Sequence, residues 1–286
     1  MWGFALFSRL KNSIISAIIS VMILLFVCVQ SVSGRTVSLL LQPSGQVSFA
    51  PTLFGQNKFS DLEPGYRTDL FVYMDLFKFD QWIFSFYTAN TTLISRDAST
   101  LFTLDRIRYT LAPGFRHVFR KWVTSGMLFH ECIHTISRPE KNGSVYWNTI
   151  RIGTGTKGAY HFYLVDKYMT RDFTLRNSID VRLDVDFYLR GDAFSLIAQN
   201  HQYRLGSSEL IRYHFDFLKR QFFTDCTHRF WLEDDSIWTQ KLSAALHWVL
   251  PGRKKLATFF FQYTLFDDNP YDNEDTLGVA GFRMVF

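Results

Sequence analysis

The chain has 286 residues, a formal net charge of +5 and an aromatic content of 17%, including 30 Phe. A balance so mild, with no basic block, excludes a nucleic-acid binder or a partner selected by acidity. No Pro-rich or Ser-rich linker divides the chain, which argues for one domain.

Residues 1–34 have the layout of a removable secretory signal peptide. Arg9 and Lys11 precede an apolar run from Ile14 to Val29, and the small residues Ser31, Ser33 and Gly34 follow. The run is short for a membrane-spanning helix of about 20 residues. The bulky Phe26 and Val27 before Cys28 suit a lipid-modification site poorly. Removal leaves a single domain over 35–286 with two cysteines, Cys132 and Cys226, in an oxidising compartment where disulfides are allowed. Whether these two pair is open at this level.

From Tyr66 onward the chain alternates with period 2. Thr68, Leu70, Val72, Met74 and Leu76 oppose Asp69, Phe71, Tyr73, Asp75 and Phe77, which predicts a strand over Tyr66 to Lys78. The same pattern predicts strands at Gln46 to Phe54, Trp82 to Ile94, Leu104 to Arg116, Trp122 to Thr135 and Ser144 to Thr154. Beyond these come Tyr160 to Lys167, Ser178 to Leu189, Phe194 to Tyr203, Glu209 to Phe217 and Phe222 to Trp231, then Ile237 to Val249, Lys255 to Phe266 and Thr276 to Phe286. Tyr160 to Lys167 and Phe222 to Trp231 are short or ambiguous, so the expected number is 12 to 14 strands. The connections left between them are modest, and no plug is expected.

Ser178 to Leu189 sets Ile179, Val181, Leu183, Val185 and Phe187 against Asp180, Arg182, Asp184 and Asp186. A face with so many charges must meet water, either outside a soluble sandwich or inside a membrane barrel. Aromatics beside short polar turns favour the barrel: Phe79 and Trp82 flank Asp80-Gln81, Phe119 and Trp122 flank Arg120-Lys121, and Phe217 and Phe222 flank Lys219-Arg220. Rings at strand ends suit the headgroup zone of a bilayer. The predicted fold is therefore all-β, a transmembrane antiparallel β-barrel of 12 to 14 strands, because only a closed barrel lets strands cross lipid without unpaired edges. Asp180, Arg182, Asp184 and Asp186, with Arg106, Arg108 and Arg151, are expected to line its lumen. The final strand ends on Phe286 and resembles the closing strand of bacterial outer-membrane proteins, whose terminal aromatic is read by the barrel-assembly machinery. That resemblance implies an outer-membrane location, with membrane lipids and the assembly machinery as partners.

The chemistry-bearing stretch is Gly126 to Asn148. His130, Glu131 and His134 have the spacing of a zinc-protease helix, which needs both imidazoles on one helical turn. Within a strand the two histidines stand ~13 Å apart and cannot share one ion. Because Trp122 to Thr135 reads as strand, the zinc reading fails. Antiparallel pairing can instead bring His130 and Cys132 to Asn148 on the next strand.

His130, Cys132 and the Trp147-Asn148 pair resemble outer-membrane phospholipase A, a barrel with a Ser two residues after its catalytic His and an Asn after Trp on the next strand. The resemblance implies His130 as general base, Asn148 as its orienting partner, a nucleophile at the position held here by Cys132, and calcium as cofactor. Ser137-Arg138-Pro139-Glu140 does not match that family's calcium loop. The alternation of Val123, Met127, Phe129 and Ile133 predicts that these face lipid, which would turn His130, Cys132 and His134 into a polar lumen row. Asn148, beside Ile150 and Ile152, reads as lipid-facing. Only a bulge near Gly126 would then reunite the set. Two functions follow from this reading: a non-catalytic channel or structural barrel, or a phospholipase A-like hydrolase.

Overall fold

A computed structural model of the protein describes residues 37–55, 63–96, 103–136, 144–160, 163, 168, 178–189, 203–233, 236–251, 255–269, 274 and 276–286. The segment read as a signal peptide lies outside them. Twelve strands form one closed barrel in which sequence neighbours pair throughout and the last strand pairs with the first. They are β1 (Val37–Phe54), β2 (Glu63–Phe79), β3 (Trp82–Arg96), β4 (Thr103–Phe119), β5 (Trp122–Thr135) and β6 (Ser144–Thr156). The second half comprises β7 (Ser178–Leu189), β8 (Tyr203–Phe217), β9 (Arg220–Glu233), β10 (Trp238–Pro251), β11 (Leu256–Asp267) and β12 (Gly278–Val285).

Around the closed wall β6 pairs directly with β7, and a 3-10 turn at Lys157–Ala159 follows β6. Of the strand expected over Tyr160 to Lys167 only Tyr160 and Tyr163 are described, and the rest lies outside the described residues. The Phe194 to Tyr203 strand falls mostly outside the described residues, and its last residue begins β8, which pairs directly with β7.

The barrel has two unlike ends. Asp80-Gln81, Arg120-Lys121 and Leu218-Lys219 each close a hairpin in two residues, and Leu218 and Lys219 both take positive φ, as a type I′ turn requires. The other end carries longer connections, but the longest, from β6 to β7, leaves from the short-turn end. At the short-turn end the chain closes on itself: Gly45 and Phe286 exchange backbone hydrogen bonds of 2.7 and 2.9 Å. A Cβ on Gly45 would meet the Phe286 ring at 2.8 Å, so the glycine makes room for the terminal aromatic.

Apolar side chains stand exposed around the whole outer wall, among them Phe49 on β1, Met74 on β2, Leu111 on β4, Ile152 on β6, Leu183 on β7, Ile211 on β8 and Phe261 on β11. A continuous exposed belt of this kind cannot face water without aggregating, and it is the surface of a membrane-spanning barrel. Trp82, Phe119, Trp122 and Phe217 mark the short-turn rim of that belt.

The interior is filled in a way that the alternation did not announce. After β6 the chain folds into the barrel, burying Ala159 and Tyr160 against Val123, while Tyr168 packs with Phe223, Val249, Leu256 and Val285. Arg212 donates to the Gly158 carbonyl at 2.9 Å, and the Arg182 guanidinium lies 4.6 Å from the Tyr160 ring centre. The expectation of no plug is corrected: Ala159, Tyr160 and Tyr168 of this connection fill the short-turn end of the lumen.

Candidate functional site

The facing of β5 is the reverse of the sequence expectation. Val123, Phe129 and Ile133 are buried, at 0%, 6% and 4% exposure, and point into the barrel. They do so because this sector of the lumen is apolar: Phe129 packs with Tyr87, Ala89 and Ala112, and Val123 with the inserted Tyr160. Gly126, Leu128, His130, Cys132 and His134 take the other face, and Leu128 is 49% exposed in the lipid belt. The polar lumen row expected of His130, Cys132 and His134 is thus a row on the outer wall. No bulge is involved, since β5 and β6 pair in unbroken register from Trp122↔Thr156 to His134↔Ser144.

That register sets His130 directly opposite Asn148 and Cys132 opposite Tyr146. The His130 Nδ1 lies 2.9 Å from Asn148 Oδ1, so the ring nitrogen donates to the amide oxygen and the Nε2 lone pair is left outward. Cys132 Sγ lies 2.9 Å from His134 Nε2, the thiol donating to the imidazole. The Tyr146 ring sits 6.0 Å from His130 and the Tyr109 ring 5.9 Å from His134, bracketing the group. All of this occurs on the last turns of the pleat before the loop end, above the exposed Leu128 and Ile150. The arrangement places a thiol beside one imidazole and a second, amide-oriented imidazole two residues away on the same face. Sequence reasoning grouped His130, Cys132 and Asn148 but set His134 only in a polar lumen row, and its i+2 position from Cys132 was the available signal for pairing the two.

The oxygen donors near Cys132 do not form a calcium site. Asn148 Oδ1 is engaged by His130, Glu131 faces inward 3.6 Å from Arg108, and no metal-holding group of three or more side chains occurs among the described residues. Calcium needs six to eight oxygens. The Ser137 to Glu140 stretch lies outside the described residues.

The charged residues of the other set turn inward. Asp186 holds Arg151 through two bonds of 2.6 and 2.8 Å, Arg182 pairs with Asp184 at 2.7 Å, and Asp180 accepts from Thr156 at 2.6 Å with His214 Nε2 3.0 Å away. Arg106 is buried, and Arg108 lines the main lumen cavity of about 320 Å³. Arg212 joins them, fully buried and held by Asp225 at 2.6 and 2.7 Å. A second polar pair lies on the outer wall, Glu209 and His228 at 2.8 Å, with Gln240 3.5 Å from the other ring nitrogen. Cys132 and Cys226 are both free thiols.

No protein-family model matches the sequence, and no curated protein matches it. Among solved structures, an outer-membrane channel from Pseudomonas putida F1 aligns at 7% identity and a TM-score of 0.49, covering 87% of this chain and 97% of its own. Outer-membrane phospholipase A from Escherichia coli aligns at 10% identity and the same TM-score of 0.49, covering 87% and 94%. OmpT, an outer-membrane protein of Vibrio cholerae, aligns at 8% identity and a TM-score of 0.36, covering 89% and 98%. Similarity at this level carries no argument about what the barrel does.

Proposed function

We propose that the protein is an outer-membrane acyl hydrolase that cleaves phospholipid esters at the outer wall of its barrel, with Cys132 as nucleophile. The observation that carries this reading is the 2.9 Å contact between Cys132 Sγ and His134 Nε2, beside a His130 oriented by Asn148 on the same lipid-facing wall. Polar groups on such a surface are costly, and where they cluster they mark function. They stand at the loop end of β5, next to the exposed Leu128 and Ile150 of the apolar belt.

The chemistry follows from the roles that these atoms can take. His134 Nε2 accepts the thiol proton as Cys132 Sγ attacks the ester carbonyl carbon, and the resulting imidazolium returns that proton to the departing glycerol oxygen. The acyl chain is left as a thioester on Cys132. Water then attacks the thioester, giving up its proton to a histidine, and releases the fatty acid while the thiol is restored. His130, with Nδ1 committed to Asn148, offers its Nε2 to the same centre. No step is assigned to calcium, because the oxygen donors described around Cys132 do not fit it.

The test is fatty-acid release from phospholipid mixed micelles by refolded full-length protein, with and without calcium, compared with Cys132→Ala. Release by the parent that falls to the protein-free background in Cys132→Ala supports the reading. Equal release from both, or none from a folded parent under either condition, overturns it. The main lumen cavity favours a second reading, a non-catalytic channel. Conductance in a planar bilayer tests that reading, and the inserted Tyr160 and Tyr168 argue for little current.

A further inference from the structure

The lumen contains a feature that hydrolysis on the outer wall does not use. Eight cationic side chains line the main cavity against four carboxylates. Most of the excess is cancelled by acids set behind the lining: Arg67 pairs with Asp69 at 3.0 Å, Arg151 with Asp186 at 2.6 Å and Lys241 with Asp267 at 2.7 Å. Arg229 differs from these. It points into the lumen near the loop end of β9, is exposed there, and has neither a carboxylate nor a hydrogen-bond acceptor among the described residues.

Its neighbours deepen the imbalance. The register sets Arg229 directly opposite Lys241, an arrangement that repels unless something neutralises it. Lys241 is satisfied by Asp267 at 2.7 Å and Glu274 at 2.8 Å. Arg229 also feels the repulsion of Arg151 and Arg108, opposed in part by Glu131 and Asp186, and all four cations line one recess of about 50 Å³. The carboxylates on that recess, Glu131 and Asp186, are taken by Arg108 and Arg151. Neutral donors complete it. Ser208 lies opposite Arg229 across the β8–β9 pair, and the Tyr188 hydroxyl, which accepts from Trp231 Nε1 at 3.1 Å, keeps its own proton to donate.

We propose that this recess is a binding site for a small soluble oxyanion of the phosphate class, with Arg229 as its principal ligand and Ser208 and Tyr188 as supporting donors. A guanidinium presents a planar fork of N–H groups that matches phosphate oxygens two at a time. The recess has room for one such group. Its walls are interior, so lipid headgroups on the outer surface do not reach it, and the site is independent of the proposed hydrolase.

The experiment uses full-length protein refolded in zwitterionic detergent and inorganic phosphate as the probe, with binding followed by calorimetry and the melting temperature read alongside. Saturable binding is expected for the parent, together with a phosphate-dependent rise in melting temperature. Arg229→Gln should weaken binding about tenfold to a hundredfold, the worth of a charge-assisted bond. It should also leave the phosphate-free melting temperature unchanged or higher, because an unpaired cation has gone. Arg120→Gln, in an exposed turn at the other end, should bind like the parent. Absence of saturable binding in the folded parent overturns the proposal, as does equal affinity in Arg229→Gln. If Arg229→Gln does not fold, Arg229→Lys decides: it keeps the charge, loses the fork, and should bind more weakly than the parent.

Discussion

The lumen and the outer wall at the loop end of β5 both gather polar side chains, but they satisfy them differently. Inside, Arg229 apart, charge is matched to charge: Arg212 to Asp225, Arg151 to Asp186, Arg182 to Asp184. Water and counter-charge explain these groups without any appeal to chemistry. Outside, Cys132, His130, His134 and Asn148 carry no ion pair among themselves, and they stand on a face that otherwise shows Leu128, Ile150 and Ile152 to lipid. The Glu209 and His228 pair on the same wall is closed by its own 2.8 Å contact and has no thiol in it. The difference teaches which polar cluster needs a job: the one that sets a thiol, two imidazoles and an amide in mutual contact on a lipid-facing wall.

The sharpest way to break the comparison is to separate the two histidines. If the thiol proton goes to His134, then His134→Ala should lower phospholipid hydrolysis by about 10²- to 10⁴-fold, while His130→Ala should lower it less. Initial rates at saturating lipid, measured side by side, check this. The opposite ranking would return the base to His130, as the phospholipase resemblance implies, and make the Cys132–His134 contact a resting arrangement. Almost as large an effect belongs to the lumen. Arg212 has 0% exposure and pairs with Asp225, whose side chain is 12% exposed, so Arg212→Met strips a mostly buried carboxylate of this cation and should cost about 3–5 kcal/mol in urea unfolding. A loss under ~1 kcal/mol would mean that the lumen wets Asp225 freely and that its ion pairs resemble surface ones.

How much of this was legible in the sequence depends on the face in question. Period 2 fixes strands well, and Ser178–Leu189 was delimited to the residue because four charges alternate with five apolar side chains. The closing strand was equally plain, since its terminal Phe and the pairing of β12 with β1 belong to one closure. Facing was legible only where the lumen is polar. On β5 the rule that apolar means lipid failed, because Phe129 and Val123 meet an apolar sector built by Tyr87, Ala112 and the inserted Tyr160. Those partners come from β3, β4 and the connection after β6, and no local pattern on β5 reports them. The same insertion bears on the strand expected at Tyr160 to Lys167: Tyr160 is buried against Val123 inside the barrel and is not part of the wall, while most of the remaining residues lie outside the described ones. Arg229 was missed for a simpler reason, since a cation without a partner is visible only when the partners of all the others are known.

The smallest effect tests whether the inserted connection is part of the fold or merely rests in it. Tyr168 is buried among Phe223, Val249, Leu256 and Val285, and its hydroxyl lies 2.6 Å from His214 Nδ1. Burial pushes its phenol well above the usual range, so it stays protonated at any working pH and donates to the imidazole. Tyr168→Phe keeps the ring and removes this one bond, leaving a buried ring nitrogen short of a donor. The expected cost is about 1 kcal/mol in urea unfolding, with the midpoint shifted and the slope unchanged. If the midpoint does not move, the hydroxyl is not coupled to global unfolding, and the segment opens separately from the wall before the barrel melts. In that event the lumen would be accessible from both ends, and the contrast between a filled interior and a reactive exterior would hold only for the closed form.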